Sequence, residues 1–158
     1  MSKRLVLLIG CAVAILCGAG SGGARIPVPC GLIMKYGVRS EKPPGHFHVD
    51  LVFLNSPGGT SCRVSGFPDV KLIGPTVYAV RRQAARSQTV TLRPGESAHA
   101  VLTWVSPSRP SDRLVPVDLR VLVPSNRQLS SVLVLHWPYG PVLRGPGTYV
   151  GPLRPGAY

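Results

Sequence analysis

The sequence predicts an all-β domain, an antiparallel β-sandwich of about seven or eight strands. Three observations predict it. Apolar residues alternate with a period of two in several segments, the pattern of a strand with one face buried. Pro and Gly punctuate the chain at short intervals, and no window of 12 residues free of them shows a clean 3.6-residue apolar spacing. The resulting short strands, about seven or eight separated by turns, suggest two packed antiparallel sheets.

Residues 1–24 stand apart from that domain. Lys3 and Arg4 precede an apolar run at 5–16, and small residues follow from Gly18 to Ala24. This is the charged, apolar, small-residue order of a cleaved secretory signal peptide. The apolar run is about a dozen residues, where a membrane-spanning helix needs roughly 20. Cleavage after Ala19 or Ala24 would fit. The expected location is therefore the cell envelope or the medium, with no transmembrane span after signal cleavage. Lipid anchoring is the alternative to free secretion. Leu8-Ile9-Gly10-Cys11 has lipobox chemistry but comes early, and Cys17 follows Leu16 where a small residue is wanted.

Removing the leader changes the arithmetic. The whole chain has 158 residues and a formal charge of +12; the remaining 134 carry 16 basic and 6 acidic side chains, a net +10. All 17 prolines and 13 of the 18 glycines lie in this part. Its two cysteines, Cys30 and Cys62, read as one disulfide in an oxidising compartment, with two buried free thiols as the alternative. The bridge would close a loop of about 33 residues, worth roughly 3–4 kcal/mol on the chain-entropy model.

The strands follow in order. A first candidate covers 32–38. At 46–54, Phe47, Val49, Leu51 and Phe53 share one face, with His48, Asp50 and Val52 opposite. Shorter candidates lie at 70–73, 76–80 and 89–92. At 97–105, Ala98, Ala100, Leu102 and Trp104 oppose His99, Val101 and Thr103. At 117–123, Val117, Leu119, Val121 and Val123 form one face, and a last candidate covers 129–137. Turn signals separate them, among them Pro43-Pro44-Gly45, Pro57-Gly58-Gly59, Gly74-Pro75 and Pro94-Gly95. The sandwich is thus expected over 25–137. Residues 138–158 hold ten Pro and Gly in 21 positions and read as an extended tail. Tyr139, Tyr149 and Val150 could dock that tail on the sandwich.

Residues that carry chemistry are sparse. There is no Gly-x-Ser-x-Gly elbow for a nucleophile, no glycine loop followed by Lys for phosphate, and six scattered acids for acid–base work. The expectation is a non-enzymatic protein without a cofactor. His46 and His48 lie two apart on one strand face, a spacing that can present two imidazoles to a metal, with His99 or His136 as a third. Metal handling through these histidines is the alternative function. Arg81, Arg82 and Arg86 cluster in an expected loop, Arg109 and Arg113 flank another, and Arg144 and Arg154 sit in the tail. A basic exported surface either is dispersed and solubilising or points to an anionic envelope polymer or lipid, or to another envelope protein. Nucleic acid is excluded by export, by 6% aromatic content and by the lack of a reading motif. Trp137, Tyr139, Tyr149 and Tyr158 could anchor a protein partner, or fold back on their own domain.

The order of several landmarks resembles a known family. Cys30 opens the domain, and an alternating strand ends in Leu54-Asn55. Then comes Ser61-Cys62-Arg63-Val64-Ser65-Gly66-Phe67-Pro68-Asp69-Val70, and later Leu92-Arg93-Pro94-Gly95-Glu96-Ser97-Ala98 running into the strand with Trp104. This resembles the actinobacterial exported proteins of domain of unknown function 4232, over about residues 30–136. The resemblance implies an immunoglobulin-like β-sandwich, exported or lipid-anchored, and brings no catalytic residues. Many members show a further Cys near the strand that here starts at Leu114. Its absence here favours the Cys30–Cys62 pairing. The two motifs also have local physical uses. Gly66 and Pro68 bracket Phe67 in a corner that would turn its ring inward. Pro94-Gly95 suits the centre of a type II turn.

Overall fold

Why the first long hairpin forms is plain from its residues. Strand β1 (Leu32–Glu41) and strand β2 (His46–Asn55) pair antiparallel, with a register shift between Tyr36 and Arg39. Between them the chain turns at Gly45, whose φ of 79° is left-handed, and the Gly45 amide donates to Glu41 Oε1 at 2.9 Å. Val49, Leu51 and Phe53 on one face of β2 are fully buried. The computed structural model describes residues 31–124 and 132–156. The expected leader and Cys30 therefore lie outside the described residues.

Twelve further strands follow among the described residues. They are β3 (Cys62–Ser65), β4 (Asp69–Ile73), β5 (Val77–Ala79), β6 (Arg81–Arg82), β7 (Thr89–Leu92) and β8 (Ser97–Val105). A 3-10 turn at Pro110–Asp112 leads to β9 (Arg113–Leu114), β10 (Asp118–Leu122) and β11 (Val132–His136). The last are β12 (Val142–Leu143), β13 (Tyr149–Val150) and β14 (Arg154–Pro155). Eight of the fourteen have four residues or more and the other six have two or three; seven of the eight fall on expected segments, β3 falls outside them, and the candidate at 76–80 is the three-residue β5.

Two sheets make the sandwich. One runs β1-β2-β8-β13-β6, with β14 also paired to β8; the other runs β11-β10-β4-β5. Ribbons β3-β7 and β9-β12 complete it. Every pair is antiparallel except β13 with β6, which is parallel. The predicted inward faces meet in one core. Ala98, Ala100, Leu102 and Trp104 of β8 join Val49, Leu51 and Phe53 of the first sheet. Val70, Leu72, Leu119 and Val121 come from the second, and Val64, Val90 and Leu92 from the β3-β7 ribbon. Gly74 admits no side chain, since a Cβ there would lie 2.5 Å from the Val115 carbonyl oxygen.

Three expectations change. Residues 138–156 do not form a separate tail, because they supply β12, β13 and β14. Val142, Val150 and Leu153 are fully buried. Backbone bonds from Gly151 to Val101, Leu153 to Gly66 and Gly156 to Ser97, at 2.8–3.0 Å, tie the segment down. Its strands are two residues long, too short to show alternation, and its Pro and Gly form turns between them. The second change concerns Phe67, which is half-buried and not among the core residues; Pro68 is the buried residue of that corner. Gly66 takes a positive φ at that corner, 79°. Third, Arg81 and Arg82 form a strand rather than a loop. The type II turn is as expected, since Gly95 has φ 84° and the Glu96 amide donates to the Arg93 carbonyl at 3.0 Å.

Candidate functional site

The basic cluster sits on a sheet edge. Arg81 and Arg82 lie on β6, the outermost strand of the six-stranded sheet, opposite Tyr149 and Val150 of β13. The Gln83 amide donates to the Val150 carbonyl at 2.9 Å and continues the pairing before the chain turns away through Arg86. All three arginines are exposed. Charged side chains on an edge strand also discourage another chain from adding to it.

The same condition holds across the molecule. Fourteen Lys and Arg fall among the described residues, and every one is exposed. Among the described residues the sole ion pair is between His136 Nδ1 and Asp118 Oδ1, at 3.9 Å. No lysine or arginine there is within ion-pair reach of a carboxylate. Arg144 instead donates to Thr76 Oγ1 at 2.7 Å. Arg109 and Arg113 line an open depression of about 330 Å³ with Ser106, Ser108 and Pro141. Arg154 lies on β14 opposite His99.

The histidines do not come together. His46 is exposed at the start of β2. His48 Nδ1 lies 3.0 Å from Thr103 Oγ1, and Nε2 lies 3.2 Å from the Lys42 carbonyl, so both ring nitrogens face protein atoms. His99 is buried on β8 against the Gly156 carbonyl, at 2.8 Å. In the β2–β8 register His48 pairs with Thr103 and His99 with Val52, four residues apart along the strands. His136 stands on β11 in the other sheet. Among the described residues no three His, Cys, Asp or Glu side chains lie close enough to hold a metal.

A second cluster is aromatic, and composition alone did not reveal it. Trp104 packs with Phe47, Trp137 and Tyr139 at ring-centroid distances of 5.4, 5.1 and 5.3 Å. Tyr36 meets Tyr139 edge-on at 5.1 Å. Trp104 and Trp137 are buried, while Tyr36, Phe47 and Tyr139 are half-buried. Trp137 Nε1 donates to the Gly140 carbonyl at 2.8 Å, so this ring belongs to its own domain and is no free anchor. Tyr158 lies outside the described residues. The guanidinium of Arg39 sits over the Phe47 ring at 4.6 Å and the Tyr139 ring at 5.5 Å. Burial pushes the Tyr36 phenol well above its ordinary range, with Tyr139 and the Asp118 carboxylate adding to it. Its hydroxyl donates to the His136 carbonyl at 3.0 Å. Burial also raises Tyr139, and the neighbouring Arg39 partly offsets that rise. Both phenols are neutral at physiological pH.

Cys62 is buried on β3. The Gly31 carbonyl accepts from the Ser56 amide at 2.9 Å. The neighbouring Asn55 side chain donates to the carbonyl of Leu92, the register partner of Cys62.

A family model described as Domain of unknown function (DUF4232) matches residues 34–153. The chain belongs to the DUF4232 family. The match covers about three-quarters of the sequence and runs from β1 to the residue before β14. The DUF4232 domain therefore includes most of the segment that composition marks as a tail, in agreement with the buried positions of Val142, Val150 and Leu153. No curated protein matches the chain. No helix among the described residues of this DUF4232 domain is long and apolar enough to cross a membrane.

Proposed function

We propose that this DUF4232 protein is an exported, non-enzymatic binding module. It contacts anionic envelope polymer or lipid through the basic edge of Arg81, Arg82 and Arg86. The observation that carries the reading is the uncompensated charge: among the described residues, fourteen exposed Lys and Arg have no carboxylate within ion-pair distance. Cations left free in this way keep their full attraction for a polyanion, and the attraction is screened by salt. The leader of residues 1–24 delivers the domain to a compartment where such polymers are found.

Heparin chromatography tests it. The R81Q/R82Q/R86Q variant is expected to elute at a clearly lower salt concentration than the wild type. An equal loss of charge at dispersed sites, R63Q/R109Q/R120Q, is expected to shift elution less. Equal shifts for the two triple variants would contradict a localised edge.

The reading also includes a Cys30–Cys62 disulfide. Supporting it are the burial of Cys62 and the short path from Gly31 through Ser56 and Asn55 to the strand beside it. Protein secreted from its native host and unfolded in urea is expected to take up no maleimide until it is reduced. Uptake of two labels by the unfolded chain without reductant would contradict the pairing.

A further inference from the structure

The open depression beside the β9–β12 ribbon differs from the rest of the basic surface, because two arginines share one concave wall. That wall runs from Ser106, just after β8, through the 3-10 turn to Arg113, and Pro141 completes it. The turn brings the two cations together. The Asp112 amide donates to the Arg109 carbonyl at 3.2 Å and the Arg113 amide donates to the Pro110 carbonyl. The chain therefore folds tightly between Arg109 and Arg113, and both line the same depression. The segments on either side are fixed. The Ser106 amide donates to the Gly45 carbonyl at 2.9 Å, Arg113 pairs with Leu143 in the ribbon, and the Arg144 amide donates to the Asp112 carbonyl at 2.8 Å. Pro107, Pro110 and Pro141 each fix their own φ. Backbone held in this way loses little further freedom when a ligand arrives.

The chemistry of the lining is one-sided. It holds two guanidiniums and the hydroxyls of Ser106 and Ser108, and no carboxylate. Asp112, the acid of the turn, is not part of the lining, and its Oδ1 accepts from the Ser111 hydroxyl at 3.3 Å. Among the described residues no carboxylate is ion-paired with either arginine. Every polar side chain of the depression can therefore donate a hydrogen bond inward. A carboxylate has two oxygens, and a single guanidinium fork engages both. Two forks and two hydroxyls call for an anion with more oxygens, set out of one plane. A phosphate group has that number and shape, and as a monoester it carries a charge of about −1.5 to −2.

We propose that Arg109 and Arg113, with Ser106 and Ser108, form a binding site for a phosphate group, either free or esterified to a polyol. The site goes beyond the reading of the Arg81 edge. The edge attracts a polyanion through its charge, whereas the depression selects a group by the number and direction of its donors. The two are tested separately, and neither depends on the other.

The test is isothermal titration calorimetry of the full secreted chain at fixed salt. The probes are inorganic phosphate, glycerol 3-phosphate and a glycerol phosphate oligomer, with acetate for comparison. A saturable heat is expected from the phosphate probes and none from acetate at the same concentration. Tighter binding of inorganic phosphate would identify a free anion as the ligand, and tighter binding of the oligomer a polymer phosphodiester; either result supports the site. R109Q and R113Q are each expected to weaken binding about tenfold, the loss of one charge-assisted bond. R109K/R113K keeps the net charge and loses both forks, and should weaken it at least as much. R81Q/R82Q/R86Q should bind phosphate as the wild type does, even where its heparin retention falls. Both arginines of the depression are exposed, so their variants should keep the wild-type urea midpoint, and a loss of binding then belongs to the site. The absence of a saturable heat from any phosphate probe at millimolar concentration overturns the proposal. So does acetate binding as tight as phosphate, or wild-type affinity in both R109Q and R113Q. Equal weakening in R81Q/R82Q/R86Q overturns it too, by reducing the effect to net charge.

Discussion

Trp104→Ala is expected to lower the unfolding free energy by about 3–5 kcal/mol, the range for removing a large buried aromatic. The ring is 1% exposed and is the largest fully buried side chain among the described residues. It is also the centre of the aromatic cluster, touching Phe47, Trp137 and Tyr139. Such ring pairs contribute roughly 0.5–1.5 kcal/mol each beyond the area they bury, so the upper part of the range is expected. The loss would show as a lower urea midpoint with a similar slope. Val77→Ala is the control, because Val77 is 64% exposed, and it should stay within about 0.5 kcal/mol of the wild type. Equal midpoints for the two variants would mean that the rings do not hold the two sheets together.

Asn55 is expected to show an effect of similar size through polar rather than apolar loss. The side chain is fully buried at the end of β2. Nδ2 donates to the carbonyls of Thr60 and Leu92 at 3.0 and 3.1 Å. Its backbone bonds both partners of the type II turn, receiving from Gly95 and donating to Glu96. One residue thus joins the β2–β3 loop, the end of β7 and the entry to β8. Asn55→Ala strands the buried Leu92 carbonyl, at about 1–3 kcal/mol, and releases the part-buried bond to the Thr60 carbonyl at a smaller cost. Asn55→Asp should be worse, since it sets a buried carboxylate against two carbonyl oxygens. The carboxylate would be driven toward its neutral form. Its stability should therefore fall as pH rises from about 5 to 8, opposite to a paired surface carboxylate. Urea unfolding of both variants across that pH range measures the two effects. A pH-independent Asn55→Asp close in stability to the wild type would contradict the arrangement. Asn55 Oδ1 has no hydrogen-bond partner, and a Cβ on Gly59 would lie 2.6 Å from it, so this corner also needs glycine.

Much of the fold was legible because one mechanism dominates it. Burial of one strand face writes a period of two into the residues, and β8 at 97–105 is read from that pattern without error. Strand β2 ends one residue beyond its expected limit. The type II turn was equally legible, since Pro94 and Gly95 are each suited to the backbone angles of their positions. What escaped was β3, whose four residues follow a Gly-rich turn, and structure too short to have a period. Strands β6, β9, β12, β13 and β14 have two residues each, and β13 is held by pairing with Thr103 and Leu102, about 47 residues away in sequence. High Pro and Gly content in that segment signals turns, and turns occur between packed strands as readily as in a loose end.

The site was legible in part. Arg81, Arg82 and Arg86 are visible as a cluster in the sequence, though their position on an edge strand depends on the parallel pairing to β13. His46 and His48 share a strand face, but the partners of His48 are Thr103 and the Lys42 carbonyl, and spacing says nothing of either. The Arg39 cluster had no signal of its own. Its rings come from β1, β2, β8 and the segment after β11, and only the sandwich brings them to one end.

Salt dependence tests the central claim, attraction of an anionic polymer to the Arg81–Arg82–Arg86 edge, most directly. Binding of a fluorescent anionic polysaccharide would be titrated at several salt concentrations for the wild type and for R81Q/R82Q/R86Q. The logarithm of the binding constant should fall linearly with the logarithm of salt for the wild type. In the variant the slope should be shallower by about two, since each lost contact removes roughly 0.7–0.9 from it. Parallel lines for the two proteins, or wild-type binding that does not respond to salt, would contradict the account.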